Sequence, residues 1–230
     1  MKNLTVSYTK SVKIIDNLNL SLAEGVIHGI VGLNGAGKTT LLNTIYGLKK
    51  QDDGSITFKG KKLNKQEISY LVTENFFYSN ITAREYLSLF QNKDFDLEKW
   101  NALFGLPLDK IIDGYSTGMK KKLVILGVFK QDKPILILDE PFNGLDIETV
   151  RILRSILLKL KEKGKTIIVT SHIMETLTNL CDYIHYLDKG KIGNSCGKEE
   201  FGKFEQEIFS KIALKNEVVI NEVVKGISNL

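Results

Sequence analysis

Apolar and polar residues alternate at the start of the chain: Leu4, Val6 and Tyr8, then Val12, Ile14 and Ile15, then Leu18, Leu20 and Leu22. A period of two over short runs predicts half-buried strands joined by polar turns. Val26-Ile27-His28-Gly29-Ile30-Val31 is almost continuously apolar and β-branched, which predicts a buried strand. The run from Thr40 to Tyr46 ends at Gly47 and predicts a helix with a glycine stop. Asp52-Asp53-Gly54 predicts a turn, and Ser55-Ile56-Thr57-Phe58 a short strand closed by Lys59-Gly60. Ile68-Ser69-Tyr70-Leu71-Val72 predicts another strand.

Between Thr82 and about Lys130 strand patterning is absent. Thr82-Ala83-Arg84-Glu85 has the S/T-x-x-E form of a capping box, with Tyr86, Leu87, Leu89 and Phe90 behind it. Phe95, Leu97, Trp100, Leu103 and Phe104 recur at helical spacing up to Gly105, where Leu106-Pro107 breaks the pattern. This stretch predicts a helical insert in an α/β core.

Strand character resumes at Pro134-Ile135-Leu136-Ile137-Leu138, a continuous apolar run of the kind buried parallel strands show. A helix is predicted from Asp146 to Lys163, ended by Gly164, followed by a buried strand at Thr166-Ile167-Ile168-Val169-Thr170. Ile173 to Leu180 reads as helix, and Tyr183-Ile184-His185-Tyr186-Leu187 as a strand ending at Asp188-Lys189-Gly190. Strands alternating with helices imply a mainly parallel sheet. In the tail, Phe201 to Leu214 fits a helix, while Val218 to Val224 fits either type.

Composition changes this picture little. At 230 residues the chain can bury a large core, and 43% hydrophobic with 26% charged residues is the balance of a globular domain. The net charge of +5 is spread along the chain. Its densest clusters, Lys59-Gly60-Lys61-Lys62 and Lys120-Lys121-Lys122, are too short for nucleic-acid tails and read as a solvated face. Cys181 and Cys196 lack metal-like spacing and predict free thiols in a reducing compartment. The N-terminus has no apolar core of a signal peptide, and no run approaches the ~20 apolar residues that span a bilayer.

Candidate chemistry concentrates at three places. Gly32-Leu33-Asn34-Gly35-Ala36-Gly37-Lys38-Thr39 fits G-x-x-x-x-G-K-[ST], with a predicted strand before it and a helix after it, the context the pattern requires. The glycines let successive N–H groups turn inward around phosphate oxygens, and the helix dipole adds positive potential there. Lys38 supplies a charge for the β- and γ-phosphates and the Thr39 hydroxyl a ligand for Mg²⁺. At the end of an apolar strand, Asp139 has the position to bind Mg²⁺ directly or through water, and Glu140 to reach past it to an attacking water. In Tyr115-Ser116-Thr117-Gly118-Met119, Ser116 and Gly118 sit at a helix start, with Met119, Leu123 and Leu126 as its apolar face.

That last stretch resembles the LSGGQ signature of ATP-binding cassette (ABC) ATPases, in the form Ser-Thr-Gly-Met-Lys. The resemblance runs to about residue 200. Gly144-Leu145-Asp146 looks like the family's D-loop, Thr170-Ser171-His172 like its switch-histidine strand end, and Tyr8 is placed like the aromatic that stacks on adenine. The resemblance implies a P-loop NTPase α/β core with a mainly parallel sheet, an N-terminal antiparallel β subdomain and an inserted α-helical subdomain. One ABC ATPase domain would span 1–230: core at 1–80 and 131–200, helical subdomain at 81–130, tail at 201–230. ATP would be held by Tyr8, Gly32, Asn34, Gly35, Ala36, Gly37, Lys38, Thr39 and Thr40, and from the facing subunit by Ser116, Gly118 and Asp146. Lys38, Glu140 and His172 would be catalytic, with Mg²⁺ on Thr39 and Asp139.

One position departs from the family. A glutamine usually follows the strand at Tyr70-Leu71-Val72; here Thr73 stands there with Glu74 next, and either could take up the metal-side role. The resemblance further implies two chains closing head to tail around two nucleotides, as a homodimer or with a homologous ATPase subunit. They would dock peripherally on the cytoplasmic face of a separate membrane permease of the exporter, drug- or bacteriocin-type group, without a nucleic-acid partner. A soluble ABC ATPase in a cytoplasmic assembly is the alternative. Phe76, Phe77 and Tyr78 would either form the docking surface or pack under the helical insert.

Overall fold

A computed structural model describes residues 1–9, 12–73 and 75–210. In chain order its elements are β1 (Lys2–Thr9), β2 (Val12–Leu18), β3 (Ile27–Val31), α1 (Lys38–Tyr46), β4 (Asp53–Ser55), β5 (Thr57–Phe58), β6 (Lys61–Lys62), β7 (Ile68–Leu71), α2 (Ala83–Ser88), α3 (Leu97–Asn101), α4 (Thr117–Lys130), β8 (Ile135–Leu138), α5 (Ile147–Glu162), β9 (Thr166–Ser171), α6 (Met174–Thr178), β10 (Tyr183–Asp188) and β11 (Lys191–Gly197). Residues 201–210 are also helical.

The main sheet has the order β11-β10-β3-β9-β8-β7. All its pairings are parallel except β10 with β11. Every residue of β3, β8 and β9 is buried, because both sheet faces are covered. Alternate side chains serve two separate cores, as the strand period of two requires. Ile27, Leu136, Leu138, Ile167 and Val169 join α2, α4, α5 and α6 on one face. Ile30, Ile135, Ile137 and Ile168 join α1 and the small β2-β1-β4 sheet on the other. In that antiparallel sheet Leu4 opposes Leu18 and Val6 opposes Ile15, all four fully or almost fully buried.

Several expectations shift. Asp52-Asp53-Gly54 is not a turn: Asp53–Ser55 forms β4 on the edge of β1, with Lys2 opposite Ser55. Gly54 (φ 89°) makes this possible, since a Cβ there would lie 2.5 Å from the Asn3 carbonyl oxygen. The expected strand at 55–58 is consequently split, its second half pairing with β6. Leu20 and Leu22 follow β2 outside any strand, although Leu20 is buried. The apolar run 95–104 gives only the short α3, and the helix expected to Leu180 ends at Thr178. The hairpin strand β11, with its polar, glycine-rich KIGNSCG, carries no strand signal of its own. Beyond residue 210, the rest of Phe201–Leu214 and all of Val218–Val224 lie outside the described residues.

The helical insert is tied together by polar contacts as well as its core. Thr82 caps α2 through a complete capping box with Glu85, and Arg84 bonds both Asp109 (2.7 Å) and Glu98 (2.9 Å). Among the described residues, no helix is long and apolar enough to cross a membrane. Both cysteines are free and buried.

Candidate functional site

The parallel strands place the site at their carboxyl ends. β3 runs into the glycine loop and α1 begins at Lys38, two residues earlier than the apolar pattern indicates. Gly35 (φ 80°) and Gly37 (φ 106°) take the left-handed backbone that curls the loop, and a Cβ on Gly32 would meet the Leu187 carbonyl oxygen at 2.4 Å. Lys38 is only 8% exposed, its Nζ donating to the Gly32 carbonyl at 2.7 Å. Asn34, Gly35 and Thr39 are exposed at the loop rim, Ala36 and Gly37 are buried, and Thr40 is intermediate.

Asp139, fully buried at the end of β8, gathers three threonine hydroxyls: Thr39 at 2.7 Å and Thr73 at 2.5 Å on Oδ2, and Thr170 at 2.5 Å on Oδ1. Thr73 therefore faces the metal-side carboxylate, whereas Glu74 lies outside the described residues. The donor set is oxygen throughout, which fits Mg²⁺. No three His, Cys, Asp or Glu side chains converge as a cage among the described residues, as suits an ion that is held largely by phosphates.

Glu140 has φ 47°, a left-handed backbone that costs a non-glycine residue about 1–2 kcal/mol. Its N–H donates to the Thr170 hydroxyl at 2.9 Å and its carbonyl accepts from Lys121 Nζ at 3.2 Å. Bonds of this kind contribute about 1 kcal/mol each, more when charged, enough to offset the strain. The carboxylate meets His172 Nδ1 at 3.1 Å and Asn143 Nδ2 at 3.3 Å. Loop, carboxylates and Tyr8 line one cleft of about 360 Å³ that also takes in Ile14 and Thr73. Tyr8 is 71% exposed with Lys49 Nζ 4.5 Å over its ring, so it is not a core tyrosine.

Ser116, Gly118 and Asp146 do not line that cleft. Ser116 caps α4, its Oγ accepting from the Met119 N–H at 3.2 Å, and both Ser116 and Thr117 are exposed. Asp146 caps α5: the Thr149 N–H at 2.8 Å, with Lys122 at 3.0 Å, holds its carboxyl well below the usual carboxylate range. The three-lysine cluster is no solvated face, since Lys120, Lys121 and Lys122 are all partly buried.

Three participants escaped the sequence reading. Thr170 bridges Asp139 and Glu140, Asn143 reaches the Glu140 carboxylate, and Lys121 holds its carbonyl. Only Thr170 left a signal, as the last residue of a strand ending beside the Asp-Glu strand.

A strand–glycine loop–helix with a buried lysine, beside a strand-end carboxylate pair, defines a P-loop nucleotide-binding protein. The family described as ABC transporter matches residues 15–143, and the chain belongs to it, as the ATP-binding, ATP-hydrolysing subunit. Its relatives include the bacitracin transport ATP-binding protein BcrA of Bacillus licheniformis, 36% identical over 79% of this chain. The match spans 64% of that protein's own length. The lantibiotic transport ATP-binding protein SrtF of Streptococcus pyogenes is 32% identical over 84% of this chain and 87% of its own. A solved ATP-binding subunit of an ABC transporter superposes with a TM-score of 0.79 at 26% identity, covering 87% of this chain and 92% of that one.

Proposed function

We propose that two copies of this chain, or one with a homologous subunit, close head to tail around two ATP molecules and drive a separate membrane permease, in the direction of export. The observation that carries this reading is the separation just described. The phosphate loop, Asp139 and Glu140 share one cleft, while the exposed N-terminus of α4 lies outside it. Each chain then offers one nearly complete site and one isolated anion-binding helix end.

In this reading the backbone N–H groups from Asn34 to Thr40 and Lys38 bind the phosphates, and Tyr8 stacks on adenine. Thr39, Asp139 and Thr73 would hold Mg²⁺, which would supply neutralisation of phosphate charge. Glu140 accepts the proton of the attacking water, and His172, 3.1 Å away, orients the carboxylate and reaches the γ-phosphate. Ser116 and Gly118 of the facing chain contact that γ-phosphate, and Asp146 lies along the same interface. ATP favours closure only through contacts present in the closed state, and hydrolysis removes them.

The residue groups 1–80 with 131–200, and 81–130, act as core and helical subdomains, with 201–230 as a tail. Between them, Phe76 is 85% exposed and Tyr78 63%, whereas Phe77 packs on Tyr86 with centroids 5.3 Å apart. Two of the three aromatics are thus available to a permease segment and one anchors the loop. In this reading the chain sits peripherally on the inner face of the membrane, without a nucleic-acid partner. Bacitracin- and lantibiotic-transport relatives support a peptide-type export substrate.

The test is recovery of tagged chain from native membranes in mild detergent, with ATPase activity measured on the eluate. A multi-span membrane protein with stimulated activity is expected. A soluble partner, or activity indifferent to membranes, would overturn the transport reading in favour of a soluble assembly ATPase.

A further inference from the structure

The start of α4 is bound to the loop carrying Glu140 at three points. Lys121 Nζ donates to the Glu140 carbonyl at 3.2 Å, and Lys122 Nζ pairs with Asp146 at 3.0 Å. A Cβ on Gly118 would lie 3.3 Å from the Gly144 carbonyl oxygen, so the two backbones are nearly in contact. The segment Glu140–Asp146 therefore rides on the same helix whose N-terminus presents Ser116 and Gly118.

Of the three, the Lys121 bond bears on a residue whose backbone has an alternative. Glu140 is held left-handed from both sides, by Thr170 on its N–H and by Lys121 on its carbonyl. Thr170 belongs to β9, in the centre of the sheet, and cannot follow α4. Lys121 can. Burial pushes its ammonium below the usual lysine range, and the Asp139 and Glu140 carboxylates oppose that shift.

We propose that Lys121 is a positioning residue that sets the Glu140 carboxylate through its backbone, so that the seating of α4 on the facing chain's nucleotide aligns the hydrolytic group of its own chain. The inference rests on the reading of Glu140 as the hydrolytic carboxylate. It goes beyond that reading by linking the two half-sites of one chain. Lys121 does not line the cleft of the phosphate loop, so its loss acts on turnover and spares nucleotide binding.

The experiment compares steady-state ATP hydrolysis by the chain purified with its membrane partner, as native protein and as Glu140→Gln, Lys121→Met and Lys121→Arg. Lys121→Met keeps the aliphatic stem and removes the donor. It is expected to lower kcat by roughly 10- to 100-fold, with KM for ATP within about twofold. Lys121→Arg, which can still donate to the carbonyl, is expected to recover most of kcat. Should Lys121→Met fail to fold, Lys121→Leu, which also lacks a donor, takes its place with the same split between kcat and KM. Native turnover in the Met variant, equal impairment in the Met and Arg variants, or parallel changes in kcat and KM would each overturn the proposal. The Glu140→Gln control separates the two readings: if it turns over normally the role of Glu140 falls, and if it stalls while Lys121→Met is native only the role of Lys121 falls.

Discussion

Two helix N-termini in this molecule, both assigned to an anion in the proposed function, are built differently. α1 starts from Gly37 in a left-handed conformation with no side-chain cap, beside a buried lysine and the Asp139 cluster. α4 starts from Ser116, whose own Oγ caps the Met119 N–H, and its exposed end lies outside the cleft of the phosphate loop. Its early turns carry Lys120, Lys121 and Lys122 and no acid, against the usual preference for negative charge there. The first terminus brings Lys38 of α1 together with Asp139 and Glu140, which follow β8. The second has only dipole and N–H groups, which bind a phosphate weakly unless the rest of the site arrives with the ligand.

The sharpest way to break this comparison is at the first terminus. Lys38→Ala removes the one buried cation of the phosphate loop and is expected to reduce ATP turnover by about 10³-fold or more. Normal turnover in a steady-state assay would mean the two termini do not differ as described. Gly118→Asp is expected to cost turnover about 10²-fold while leaving ATP affinity of the isolated chain unchanged, because that position serves the facing chain's nucleotide. Equal loss of affinity, by equilibrium binding of a fluorescent nucleotide, would place Gly118 in its own chain's site.

The smallest effect lies between β3 and β10. His28 on β3 and His185 on β10 stack in the sheet, with His28 Nδ1 and His185 Nε2 3.1 Å apart. Ser195 Oγ lies 2.8 Å from His185 Nδ1, and Asp182 and Tyr183 are the nearby titratable groups. Burial, reinforced by His28, pulls His185 down to about 4. Its folded value is depressed, so the neutral form's contribution is full above the unfolded value near 6.5 and is lost as pH falls toward 4. Stability should drop by about 1 kcal/mol between pH 6.5 and 5.5 from this group, and His185→Gln should flatten that slope in denaturant titrations. Unchanged slopes would assign the acid sensitivity elsewhere. Exposed His172, beside Glu140, contrasts with this pair in solvent access.

What could be read in advance depended on how local the cause was. The glycine loop, the Asp139–Glu140 strand end and the Ser116 cap are each made by adjacent residues, so pattern and chemistry coincide within a few positions. Strands β3, β8 and β9 announce themselves because burial on both faces favours apolar runs with few polar positions. β4 and β11 do not, because their own residues are polar and glycine-rich, and pairing with β1 and β10 supplies the order they lack. The aromatic run at Phe76, Phe77 and Tyr78 likewise has one composition and two fates, decided by which side chain Tyr86 receives.

Sequence alone was sufficient for the parallel α/β core, the ATP-binding chemistry and the order of the family's motifs, since spacing along the backbone dictates all three. Only the tertiary structure decided that Thr73 faces Asp139, that Thr170 bridges the two carboxylates and that Lys121 grips Glu140 from another element. Those contacts join residues 30 to 66 positions apart, or 19 for Lys121. Hydrogen bonds form by proximity in space, and the packing of α4, β7, β8 and β9 creates that proximity where no local pattern records it.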